Sequence, residues 1–367
     1  MDDSIAYLDH STRAGALHLL QNPSKHLNAF TLLDLMTCTD AFVLYDHLVG
    51  FWGSTYFLES KALDVDSALA QQMLSLESDA ITSRHGREIF AISDMGNEDY
   101  WAARDFFDDG LEEALAPVRH ELNKRLPQGL YEHHDGDGAG LLNYILHSTI
   151  LGTAYFSSAI RSPLVSIVRK NINRRTFSAV ETILTTVSEA QAKKIEVIKT
   201  RFYGYQASLL MPPIFRLVLE GCSSQRDFLG SLSRFRDSRE ARSMRRWASK
   251  LQTRINTGNI GELEAVVNEI NGVAARLVLP TPTIAQQTLE FIPTGLVDYK
   301  KAIQVPVEKA SKLAVDYLCR PHALLLKKLA GSLQALENDL DLVQDKFDVR
   351  ISQSVLDDIN WLRNLGL

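Results

Sequence analysis

The chain has 367 residues, 45% of them hydrophobic and 23% charged, an ordinary globular composition with enough apolar material for a sizeable core. Its three cysteines, Cys38, Cys222 and Cys319, are far apart and form no C-x-x-C pair. That argues against a cysteine-built zinc site and for a reducing compartment. The net charge of −6 conceals a segregation: residues 1–160 carry −15, residues 161–254 carry +12 and residues 255–367 carry −3. A basic section between acidic ones either binds an anionic partner such as nucleic acid or faces the acidic part inside the fold. The internal use needs no partner and is the first expectation.

The N-terminus, MDDSIAYLDH, is acidic and has no apolar core of a signal peptide, so a cytoplasmic protein is expected. Helical spacing then dominates. Leu32, Leu35, Phe42 and Val49, with Leu33, Met36 and Val43 beside them, predict a helix over roughly residues 29–49. Short strands around Phe51–Leu58 are an open alternative to further helix. Residues 98–126 read as one acidic helix, or as two separated by a break near Pro117. Residues 127–140 (PQGLYEHHDGDGAG) read as a loop. From Gly138 to Ile160 there is no formal charge, and Arg161, Arg169, Lys170, Arg174 and Arg175 follow. This imitates a membrane span with positive flanking. Its polar residues, Asn143, His147, Ser148, Thr149, Thr153, Ser157 and Ser158, favour a buried helix and no membrane association.

Residues 164–203 contain neither Gly nor Pro and carry a helical stripe through Val180, Ile183, Leu184, Val187, Ile195, Ile198 and Phe202. Pro212 and Pro213 suit the first turn of a new element. Residues 279–306, with Pro280, Pro282, Pro293 and Pro306, read as an extended connection or a domain boundary. Beyond it, Leu326, Leu333, Leu340 and Phe347 recur every seven residues, with Leu329, Leu336 and Val343 between them. This is an a/d seam. Its flanking positions lack systematic charge, so packing inside a bundle is favoured over an autonomous zipper. The expected fold is all-α: a multi-helix bundle, in one body or two helical subdomains, with at most minor β. Four regions are expected: acidic 1–160, basic 161–278, a connection 279–306 and a heptad region 307–367.

Four constellations could carry chemistry. On a helix, Arg239, Arg242, Arg246, Lys250 and Arg254 fall within an arc of about 120°, with Met244, Trp247, Leu251 and Ile255 on the adjacent arc. A row of cations on a docked helix suits contact with a phosphate backbone, and arginine suits bidentate pairing with phosphate or carboxylate. Solvation, or pairing with acidic neighbours, is the alternative. Asp108, Asp109 and Glu112 could turn carboxylates to one side and hold Mg²⁺. Adjacent His133-His134 and Asp135-x-Asp137 could be metal ligands, but Ala139 stands where an EF-hand places another, so an exposed turn is favoured. The last is Arg13 to His18, RAGALH.

Over one short segment, Phe106-Phe107-Asp108-Asp109-Gly110-Leu111-Glu112-Glu113 resembles the DDxxD/E motif of class I terpene synthases, an all-α family. That resemblance implies a second metal motif, N-D-x-x-S-x-x-x-E. The nearest string begins at Asn338-Asp339, with Leu342 and Lys346 replacing its Ser and Glu. RAGALH resembles the R-x4–6-H signature of HEPN ribonucleases, with Ala14 where that family has a polar residue. The phrases LLDLMTCTDAFVLYDHLVGF and FRDSREARSMRRWASKL resemble segments of uncharacterised bacterial all-helical proteins, which implies no particular activity. No phosphate loop or catalytic triad signature occurs. The first expectation is therefore a helical interaction or scaffold protein without a cofactor, with a protein partner or a second copy of itself. A nucleic-acid-binding protein and a carboxylate-metal enzyme are the alternatives.

Overall fold

A computed structural model describes residues 4–49, 67–76, 109–126, 141, 144, 153–171, 207–257, 260–277, 287–293, 323–327 and 329–365. Of these residues 76% are helical, so the mostly helical class holds. The strands are few but central. β1 (Ile5–Leu8) is the middle strand of a parallel sheet ordered β2 (His47–Val49), β1, β3 (Ala154–Phe156). An antiparallel sheet places β5 (Gln287–Pro293) between β4 (Ala207–Met211) and β6 (Ala323–Lys327). β3 and β6 are neighbours, which brings the edges of the two sheets together.

Local sequence explains the N-terminal elements. The apolar run of β1 ends at Asp9, whose carboxylate accepts from the Ser11 amide at 3.0 Å and caps α1 (His10–Gln21). Asn22 and Pro23 end α1 and start the single turn α2 (Pro23–His26). Asn28 then opens α3 (Ala29–Leu44) with a capping box, its side chain accepting from Phe30 and Thr31 while Thr31 Oγ1 accepts from the Asn28 amide.

Every residue of α3 is buried, Asp34 and Asp40 included, as expected of a helix apolar almost all round. α1 and all three strands of the parallel sheet pack on it. So do α7 (Ile214–Glu220), α8 (Phe228–Arg236), α9 (Arg239–Thr257), α11 (Leu329–Phe347) and α12 (Gln353–Asn364). The acidic, basic and heptad regions thus share one core around α3. Between them in sequence lie α4 (Ser67–Leu76), α5 (Asp109–Arg125) and α6 (Ser162–Asn171), with α6 packed on α5. α10 (Ile260–Leu277) packs beside α9.

Several expectations need correction. The helix predicted to reach residue 49 stops at Leu44, and Val49 belongs to β2. Apolar residues that suit a helix face suit a parallel strand equally, and periodicity cannot separate them over so short a run. The uncharged stretch 138–160 is not one buried helix, because it contains β3. Of the two alternatives at Pro117 the unbroken one holds: α5 runs through it, and Pro117 is exposed. Within residues 279–306 the described part is β5, the middle strand of its sheet. The seam is not one helix from Leu326, which lies in β6 opposite Glu290. From Leu329 onward it behaves as a bundle seam. Leu329, Leu333, Leu336, Val343 and Phe347 are buried within the chain and Leu340 is half-buried. Phe347 meets Phe228 edge-on at 6.2 Å between ring centres. Among the described residues, no helix is long and apolar enough to cross a membrane. The Phe51–Leu58 strands and the Val180–Phe202 stripe lie outside the described residues.

Leu336 is fully buried where α11 packs on the core. Leu336→Ala is expected to cost about 3 kcal/mol, the lost transfer free energy plus the cavity. Urea melts measure this, and an unchanged midpoint would remove α11 from the core.

Candidate anion-binding face

α9 begins at Arg239, as the amphipathic spacing requires, and docks through Ala241, Ala248, Leu251 and Gln252, all buried. Of the predicted apolar stripe, Leu251 is buried and Met244 and Trp247 are half-buried against the core; the small alanines beside it are the contact that sequence reasoning missed. Diametrically opposite the alanines stand Arg239, Arg242, Arg246 and Lys250, all exposed, with Arg254 half-buried at the end of the row. From Arg239 to Arg246 the row is about 10 Å long at 1.5 Å per residue.

The row divides into two halves. Lys250 Nζ lies 2.7 Å from Glu269 on α10, and Arg254 pairs with Glu262 on the same helix. No carboxylate among the described residues pairs with Arg239, Arg242 or Arg246. Arg246 only touches the Arg242 carbonyl at 3.3 Å and the Ser243 hydroxyl at 3.5 Å.

The internal use of basic charge falls to two arginines outside the predicted row. Arg236 donates to the Phe42 carbonyl, to Tyr45 O at 3.0 Å and to Asp46 O at 2.7 Å. Arg245 reaches Val43 O at 3.4 Å, Arg236 O at 2.8 Å and the Asp46 carboxylate at 3.2 Å. Asp46 also accepts from the Ser4 amide and hydroxyl. Together these guanidiniums satisfy the orphan carbonyls at the C-terminus of α3 and oppose the negative end of its dipole. Burial, and then the neighbouring Arg245, push the Arg236 guanidinium down. Nothing in the local sequence distinguishes Arg236 and Arg245 from the outward arginines except their phase on the helix.

Two buried charge clusters flank α3. At the carboxyl end of β1, Asp9 accepts from Tyr155 Oη at 3.0 Å, the Ser158 amide at 3.4 Å and Arg161 at 2.6 Å. Arg161 lies over the Tyr144 ring at 4.9 Å, and Tyr144 stacks on Tyr155. Asp34 of α3 accepts from the Ala159 amide at 2.7 Å. Burial alone pushes the Arg161 guanidinium down, but Asp9, Tyr144 and Tyr155 hold it above its usual value. In open α/β sheets this edge is where ligands bind. Here Asp9 and Arg161 are sealed from solvent and their charges are spent on each other, so the cluster locks the segment after β3 onto β1 and α3. In the second cluster Lys327, at the end of β6, lies 2.6 Å from Asp40 with both side chains buried. Burial raises Asp40 and lowers Lys327, and each partner opposes the shift of the other. Nearby, burial raises Asp339 on α11 to about 6 against the pull of Arg216, 3.6 Å away.

The other predicted metal sites fall outside the described side chains. Asp108 and the His133–Gly138 loop lie outside the described residues, and Asp109 and Glu112 are placed only as backbone in the first turn of α5. Among the described residues no group of three or more His, Cys, Asp or Glu side chains is arranged to hold a metal ion. Arg13 and His18 are both buried on α1, and five residues of helix turn them about 140° apart. His18 instead packs on the His26 ring at 5.1 Å. No protein-family model, no curated protein and no solved structure matches this chain, so its function has to be argued from its own residues.

Proposed function

We propose that this protein binds a polyanion, the phosphate backbone of a nucleic acid, through the outward row of α9. One observation carries the reading: Arg239, Arg242 and Arg246 project together on the side of α9 opposite its docking face, with no described carboxylate neutralising them. Arginine in a row at one-turn spacing offers several phosphate contacts without base recognition, so binding would be sequence-independent and strongly salt-dependent. The heptad seam, one of the features behind the scaffold reading, packs inside the chain as a bundle seam does, so its buried residues are not offered to a partner.

Affinity for a short DNA duplex should fall linearly in log–log plots against salt. Arg242→Ala with Arg246→Ala should flatten that slope by about two units, at close to 0.9 per phosphate contact. Both residues are exposed, so the melting transition should stay within about 0.5 kcal/mol of wild type. Arg245→Ala should do the reverse, lowering stability while leaving the slope unchanged. Absence of wild-type binding at low salt would remove this reading.

A further inference from the structure

The division of the row into a paired and an unpaired half points to an anion-competing gate, an inference that rests on the reading above. α9 and α10 run antiparallel, since Lys250 meets Glu269 while Arg254 meets Glu262. Glu262 and Glu269 are seven residues apart, nearly in phase on α10, so they form an acidic row beside the C-terminal half of the basic one. This acidic row stops there. The remaining turns of α10, Ile270 to Leu277, contain no Asp or Glu and contain Arg276.

We infer that Glu262 and Glu269 occupy, in cis, the positions that phosphates would take on Lys250 and Arg254. They thereby limit the footprint of a bound nucleic acid to the Arg239–Arg246 half of α9. All four side chains reach solvent, at 51% and 59% exposure for Lys250 and Glu269 and 39% and 47% for the half-buried Arg254 and for Glu262. Exposed pairs of this kind hold weakly and are screened by salt. They can therefore exchange partners, but as long as the glutamates stay, two of the five cations release few counterions when the polyanion arrives.

The test uses the full chain and a short DNA duplex, with affinity measured by fluorescence anisotropy between about 50 and 200 mM salt, the range over which each phosphate contact is resolved. Glu262→Gln with Glu269→Gln should steepen the log–log slope by about one to two units and tighten binding roughly tenfold at the low end. Glu264→Gln removes a charge from the opposite side of α10 and should change neither. Adding Lys250→Ala and Arg254→Ala to the glutamine variant should abolish the gain, while the same two alanines in wild type should have little effect. Binding by the glutamine variant alone would show that the Arg239–Arg246 half does not bind by itself, and would overturn the inference together with the reading it rests on. Equal slopes for wild type and the glutamine variant, or an equal gain from Glu264→Gln, would overturn the gate while leaving the reading of α9 intact. No binding by either protein would overturn both.

Discussion

Arg161→Ala is expected to destabilise the fold by about 3–5 kcal/mol, because it leaves the Asp9 carboxylate buried without its counter-charge. Asp9 is fully buried, and its described donors besides Arg161 include the Ser11 amide, the Tyr155 hydroxyl and the Ser158 amide. The donors that remain decide how far below the upper figure the loss falls. The arginine also stacks on Tyr144, so truncation opens space as well as removing charge. Asp9→Asn should be costly in the other direction, leaving a buried guanidinium facing a neutral amide, although Asn still caps α1. Combining Asp9→Asn with Arg161→Met should cost clearly less than the sum of the singles, since neither charge is then stranded. Guanidinium chloride melts of the three variants measure this. A loss below about 1 kcal/mol for Arg161→Ala would show that the pair does not hold β1, β3 and α3 together.

Asp40→Ala is expected to cost a similar amount, about 3–5 kcal/mol near neutral pH, and its pH dependence identifies the cause. Lys327 is buried at the end of β6, and burial already lowers it from its ordinary 10.5 while Asp40 pulls it back up. Without Asp40 the depression by burial is opposed only by the smaller pull of Cys38, so it deepens. The sign follows from proton counting. Below the folded value both states are protonated, and the full cost of a buried ammonium is felt. Between the folded value and 10.5 the unfolded chain binds the extra proton, so stability rises with pH. The variant should therefore regain stability relative to wild type as pH is raised toward 10, and Lys327→Met in the same chain should remove that dependence. A pH-independent deficit would mean that the loss is a packing defect rather than a stranded charge.

How much of this was legible in the sequence depends on the range of the interaction concerned. The start of α9, the helix after Pro213 and the buried seam from Leu333 to Phe347 follow from periodicity and capping, which are local. The helical class follows from the same local preferences summed along the chain. β2 and β3 were read as helix because each spans only three residues. So short an apolar run carries no period and becomes a strand only when a distant partner supplies the hydrogen bonds. Leu326 shows the limit most clearly, since its heptad spacing was perfect and its pairing with Glu290 overrode it.

The division of labour among the arginines shows where sequence stops. Composition alone established that the middle of this chain is basic and its N-terminal part acidic, and helical phase alone established that five cations share one side of α9. Neither could assign those cations to solvent or to the interior, because that depends on which face of α9 meets α3. Tertiary packing decided it through two alanines, Ala241 and Ala248, whose small side chains let α9 approach the core. That approach put Arg245, with Arg236 from α8, against the open carbonyls of α3 and left Arg239, Arg242 and Arg246 outside. The same packing closed Asp9 on Arg161 and Asp40 on Lys327 across separations of 152 and 287 residues. A charge's partner is fixed by distance in space, and at such separations only the folded core sets that distance.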